Sequence, residues 1–331
     1  MQQPGHRRRI GLVLRITGTI IALWWVMGRV EPDVALQALS EAPLWVFVVP
    51  SVGVFFNTII QGIRIQRMLM AMGARLSLGR VLSAVCRGAF MGLVLPSGGQ
   101  EVAKAALLAK ATSRMDVGIG ALLAARVLQL PMWALLLTWS LYSGLLVTDP
   151  VLGMAAAGFL CVICVVLGLS FWGLQREDEP HVLLPRWTPA RLVDGLQRIV
   201  VALRMLRSHP QAILIVASLA LPAAVINIGV VWAILWGFSA PLHPGEVAAL
   251  LPAADVLIWM PVSMSGLGVR EGLFAYFLAP RGVGVATAVA IGLTRWTGEL
   301  MRALVGGLLF VLGDTVFTGP ATDGPRSSRD G

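Results

Sequence analysis

Long apolar runs alternate with short polar stretches along this chain, and the runs have the length of membrane spans. A helix crosses a hydrocarbon core with about 20 apolar residues. Six stretches reach that length: roughly 10–30, 43–63, 117–147, 151–174, 211–238 and 283–313. Two more apolar segments, about 81–110 and 246–280, are interrupted near their middles. The first break reads Leu95-Pro96-Ser97-Gly98-Gly99, and the second runs from Met260-Pro261 to Gly266-Leu267-Gly268. Proline removes a backbone donor and glycine loosens a helix. At membrane depth such a break persists only where protein or a wet cavity satisfies the freed backbone.

Loop charges orient the spans. Arg7 to Arg9, Arg64, Arg67, Arg75, Arg80, the six arginines of the 175–209 loop, Arg326 and Arg329 fall on one side. Glu31, Asp33, Glu41, Asp149 and Glu246 fall on the other. Cationic loops stay cytoplasmic. Because Arg80, Lys110 and Arg114 flank 81–110 at both ends, that segment enters and leaves on the cytoplasmic face, and 246–280 dips in from outside. The expectation is an all-α polytopic membrane protein with six transmembrane helices and two re-entrant helical hairpins. Both termini are cytoplasmic, in a bacterial cell membrane. Residues 1–317 form one membrane domain, 175–209 a basic cytoplasmic loop that attracts anionic lipid, and 318–331 a disordered tail.

Composition agrees and excludes other classes. The chain of 331 residues is 57% hydrophobic and 13% charged, against about 25% charged in ordinary soluble domains. A soluble enzyme, a secreted disulfide scaffold and a disordered chain are excluded. The net charge of +9 belongs to loops that orient the protein, so no nucleic-acid partner is expected. Arg7 to Arg9 and the run that follows lack a small-residue cleavage pattern and read as a retained first helix. Cys86, Cys161 and Cys164 lie in apolar runs and read as packing residues.

The two broken segments resemble each other. Leu76, Gly79 and Val81 match Leu242, Gly245 and Val247 at one offset, and one residue of slip sets Pro96 against Pro261. Each break is followed by an acid (Glu101; Glu271) and then a span carrying an arginine (Arg126; Arg295). With the hairpins on opposite faces, this is the pattern of an inverted-topology repeat, with halves at about 43–147 and 211–313.

Ionisable residues at membrane depth mark the candidate site, since an arginine at a span centre costs about 2.5–3.5 kcal/mol on insertion scales. They are Arg87, Glu101, Lys104, Arg126, Asp255, Arg270, Glu271, Arg295 and Glu299. Arg295 and Glu299 stand at i,i+4 and could satisfy each other. Ser97 can cap the helix after the first break, where Gly98 and Gly99 leave backbone N–H groups open to a phosphate or carboxylate. Lys104 lies a turn further on. Gly266, Gly268, Arg270 and Glu271 repeat the arrangement. The competing reading of the glycines is close helix packing. Walker, zinc-protease and nucleophile-elbow motifs are absent, and no metal or cofactor is expected.

At Arg87, Pro96-Ser97-Gly98-Gly99-Gln100-Glu101 and Gly266-Leu267-Gly268-Val269-Arg270-Glu271 the chain resembles the lysylphosphatidylglycerol synthase transmembrane region, or flippase-like domain, family. The resemblance spans roughly 10–315 and implies lipid flipping between leaflets. It singles out Arg87, Gly98, Gly99, Glu101, Gly266, Gly268, Arg270 and Glu271. Lys104 stands where an arginine is usual, and Gln100 interrupts the common Gly-Gly-acid run. No soluble aminoacyl-transferase domain follows residue 331, so synthase activity is not carried over.

The expected function is a non-enzymatic lipid translocase. A phospholipid or related lipid with an anionic or zwitterionic head group would bind Arg87, Lys104, Arg126, Arg270 and Arg295 in a midplane cavity. Glu101, Glu271 and Glu299 would neutralise the empty cavity or carry protons. The rivals are an intramembrane transferase acting on a lipid carrier and a non-catalytic partner of an envelope or glycosyltransferase complex. A homodimer and an envelope-biosynthesis partner are both compatible with the sequence.

Overall fold

The computed structural model describes residues 32–94, 99–143, 150–175, 204, 208–240, 242–259 and 269–312. The expected 10–30 span, both break sequences with Ser97, Gly98, Gly266 and Gly268, most of the 175–209 loop and the 318–331 tail lie outside them.

Among the described residues every regular element is helical. In chain order they are α1 (Pro32–Glu41), α2 (Trp45–Ala71), α3 (Leu78–Val94), α4 (Gly99–Thr112), α5 (Met115–Val127) and α6 (Leu130–Tyr142). Then come α7 (Pro150–Gln175), α8 (Pro210–Ser218), α9 (Ala220–Gly237), α10 (Pro244–Trp259), α11 (Val269–Leu278), a 3-10 turn at Ala279–Arg281, and α12 (Val285–Leu312). Three stretches, Trp45–Ala71, Met115–Tyr142 and Pro210–Gly237, are long and apolar enough to cross a membrane. The last two are each interrupted briefly, between α5 and α6 and between α8 and α9. At 1.5 Å per residue, the 28 residues of α12 reach about 42 Å. Its apolar character is broken at Arg295, Glu299 and Arg302.

Both broken segments fold as helix pairs whose arms touch. In the first, Gly88 of α3 faces Lys104 of α4, and Gly92 faces Gln100. Four residues forward on one arm meet four residues back on the other, so the arms are antiparallel. Across the molecule α3 packs on α12, while α10 packs on α6, where Ser140 Oγ donates to Ala249 O at 2.5 Å. α2 and α9 also run antiparallel, with Gly53 against Val230 and Gly237 against Val46. Two apolar cores result. One joins α2, α3, α5 and Leu108 of α4, and the other joins α9 to α12 with Leu137 of α6.

Glycines set the closest approaches, as expected where helix association relies on packing more than on water exclusion. A Cβ at Gly306 of α12 would overlap the Cys86 carbonyl of α3, and one at Gly298 would stand 2.5 Å from Pro50 O of α2.

Two features differ from the sequence-based expectation. Arg64 was expected in a cytoplasmic loop, but α2 continues to Ala71 and holds Arg64 inside the bundle with 5% exposure. Its polar partners on a neighbouring span make that burial tolerable. Cys161 and Cys164 face outward from α7 instead of packing, whereas Cys86 is buried.

Gly306→Leu forces α12 away from α3, and overpacking of this kind costs about 1–3 kcal/mol. Its thermal unfolding midpoint in detergent falls below that of Gly158→Leu, a site on α7 with open space around it.

Candidate functional site

α4 starts at Gly99, immediately after the first break, and its opening turn carries Glu101, where the positive end of the helix dipole favours a carboxylate. Lys104 follows at i+3 on the same face. Its Nζ lies 2.9 Å from Glu101 Oε1, and the same oxygen pairs with Arg126 of α5. Lys104 keeps only 1% of its side chain exposed. Its stem fits because residue 88 is a glycine: a Cβ there would overlap Lys104 Cγ.

The second half supplies α12. Glu299 lies about halfway along that helix and pairs with Arg302 at i+3. Arg302 thus joins Arg295, one turn the other way, as a cation acting on Glu299. Arg302, Arg270, Lys104 and Arg295 all act electrostatically on Glu299, while Glu101, Arg126 and Arg302 act on Lys104. The charges of the two halves therefore form one cluster. Among the described side chains, Lys104, Arg126, Arg270, Arg295 and Arg302 face Glu101 and Glu299 in it. Arg270 and Glu271 open α11 and are buried. Glu271 packs against Gly292 of α12, where a Cβ would stand 3.2 Å from its Cα.

Exposure is uneven within the cluster. Glu101 and Arg126 each keep 31% of their side-chain surface and Glu299 keeps 42%, beside the enclosed Lys104.

Arg87 of α3 also reaches α12. Its NH2 donates to Leu309 O at 2.7 Å, and its guanidinium lies 5.4 Å from the centre of the Phe310 ring. Arg87 thus ties α3 to α12. Asp255 belongs to α10, with its side chain outside the described set.

Arg302 was missed by sequence reasoning. Its signal was an i,i+3 spacing from Glu299 inside an apolar span, overshadowed by Arg295 at i,i+4.

The sequence profile of the family described as "Lysylphosphatidylglycerol synthase TM region" matches residues 11–297, most of the chain. The chain belongs to that family. Within this lysylphosphatidylglycerol synthase TM region match lie both broken segments, Lys104, Arg126 and Arg295; Glu299 and Arg302 fall just beyond it. No curated protein and no solved structure matches the chain significantly.

Removing one partner of a buried ion pair leaves an uncompensated charge and costs about 3–5 kcal/mol when fully enclosed. Glu101→Gln strands two cations, Lys104 and Arg126, whereas Lys104→Met leaves Glu101 with Arg126. Glu101→Gln therefore lowers the thermal unfolding midpoint more than Lys104→Met, measured side by side in one detergent.

Proposed function

We propose that this chain is a flippase-like transporter that moves a phospholipid, or a related lipid with an anionic or zwitterionic head group, between membrane leaflets. The observation that carries the reading is the meeting of both broken segments at one cation-rich cluster at mid-depth. Lys104 arrives from the first, Arg270 from the second, and both act on Glu299 of α12. The family description supports a lipid-related membrane role.

In this reading the cluster receives the head group while the acyl chains stay in lipid. Lys104, Arg126, Arg270, Arg295 and Arg302 attract phosphate oxygens, with charge-assisted hydrogen bonds strengthened by low dielectric. Glu101, Glu271 and Glu299 hold the empty cluster together. The protein forms and breaks no covalent bond, so it is a transporter and not an enzyme.

The packing supports an inverted repeat as the moving framework. α2, α3–α4 and α5–α6 correspond in order to α8–α9, α10–α11 and α12. Exchanging the halves maps the α3–α12 contact onto α10–α6, α4–α5 onto α11–α12, and the α2–α9 contact onto itself. A pseudo-two-fold axis produces this reciprocity. Its two helix pairs are the re-entrant hairpins, entering from opposite faces, and rocking of one half against the other would expose the cluster to each leaflet in turn. The charge bias places both termini in the cytoplasm, at a bacterial cell membrane.

In proteoliposomes carrying a fluorescent phosphatidylglycerol, the parent protein accelerates exchange between leaflets. Lys104→Gln combined with Arg270→Gln lowers that rate about tenfold or more, the scale of losing a charged hydrogen bond. Arg281→Gln, which meets Glu246 and the Phe277 carbonyl and none of the cluster residues, leaves it unchanged. Equal rates in all three proteins would remove the site assignment.

A further inference from the structure

Arg64 belongs to none of the motifs, yet it holds the break in the span that carries Arg126. α5 ends at Val127 and α6 begins at Leu130, with Pro131 at its start. Proline supplies no donor, so the regular ladder fails across this turn. The Gln129 N–H turns to Arg126 O at 3.0 Å in a tighter i→i−3 bond. Ala125 O, which an uninterrupted α-helix would pair with that N–H, is left over. Arg64 fills the vacancy from α2. Its NH2 donates to Ala125 O at 2.6 Å, and its NH1 donates to Gln129 Oε1 at 2.8 Å.

One rigid guanidinium thus grips both sides of the break. At membrane depth no water replaces these bonds. Arg126, whose side chain reaches Glu101, is the residue next to Ala125. The height and rotation of the α5 end therefore set the point from which Arg126 approaches the cluster, and Arg64 sets that end.

We infer that Arg64 is a positioning residue for the charge cluster: by clamping the α5–α6 break it fixes Arg126 on Glu101, and through them Lys104. A lysine could keep the charge and the stem but could not hold two separate acceptors in one planar fork. The consequence for transport rests on the reading of the cluster as the lipid site; the geometric coupling does not.

The test combines two readouts on the full chain. In thermal unfolding, a double-mutant cycle of Arg64→Gln with Arg126→Gln comes out non-additive, with the Arg64→Gln shift reduced by about half or more when Arg126 is already gone. In phosphatidylcholine vesicles with fluorescent phosphatidylglycerol, Arg64→Gln slows movement about tenfold. Arg64→Lys stays slow although folded, and Arg64→Gln adds no further slowing to Arg126→Gln. Additive unfolding shifts overturn the inference, as does full rate in Arg64→Lys or an independent tenfold loss in the double variant. If the parent protein moves no lipid, the transport reading falls and the unfolding cycle alone decides whether Arg64 positions the cluster.

Discussion

Lys104 is enclosed in a bundle whose outer surface is apolar, and the burial of its charge constrains everything around it. A bare ammonium in that setting is costly, so carboxylate and helix geometry must meet it. Glu101 stands one turn back, and Arg126 shares the same carboxylate oxygen. Gly88 yields the room for the lysine stem, which requires the two arms of the broken segment to lie in direct contact. The break, the glycine and the carboxylate are consequences of placing one cation at mid-depth.

The same constraint explains the arrangement of α12. It carries Glu299 and Arg302 about halfway along its length, and its glycines admit α2 and α3 to backbone distance. Helices that close leave no space for water along most of their contact, while Glu101, Arg126 and Glu299 stay partly exposed. In the proposed role, a head group drawn there would meet several cations held by carboxylates that it could replace as partners.

Much of this was legible in the sequence because the signals are local. Apolar runs gave the described helices to within a few residues at most ends, and Pro96 and Pro261 marked the separation of α3 from α4 and of α10 from α11. Glu101, Lys104 and Arg126 stood out as charges in apolar surroundings. What escaped depended on tertiary partners. The polar stretch Gln61, Arg64, Gln66 and Arg67 looks like the end of a span, and only the approach of α5 shows that Arg64 faces inward. Arg302 was hidden because Arg295 at i−4 already offered Glu299 a partner, so a second cation at i+3 was not needed to account for the carboxylate. The bond from Arg87 to Leu309 O also escaped, since no local pattern reveals a carbonyl 222 residues away.

That last separation has a consequence for how the chain is made. Glu101, Lys104 and Arg126 emerge from the ribosome within seconds of one another at about 5–20 residues per second, so they can enter the membrane already paired. Arg87 waits on the order of tens of seconds for Leu309. Until then α3 lacks both its Arg87 contact and its glycine-lined neighbour. The helix translated last is the one that locks the first broken segment in place, and a ribosome that stalls before it leaves an arginine in the bilayer with its carbonyl partner still unmade.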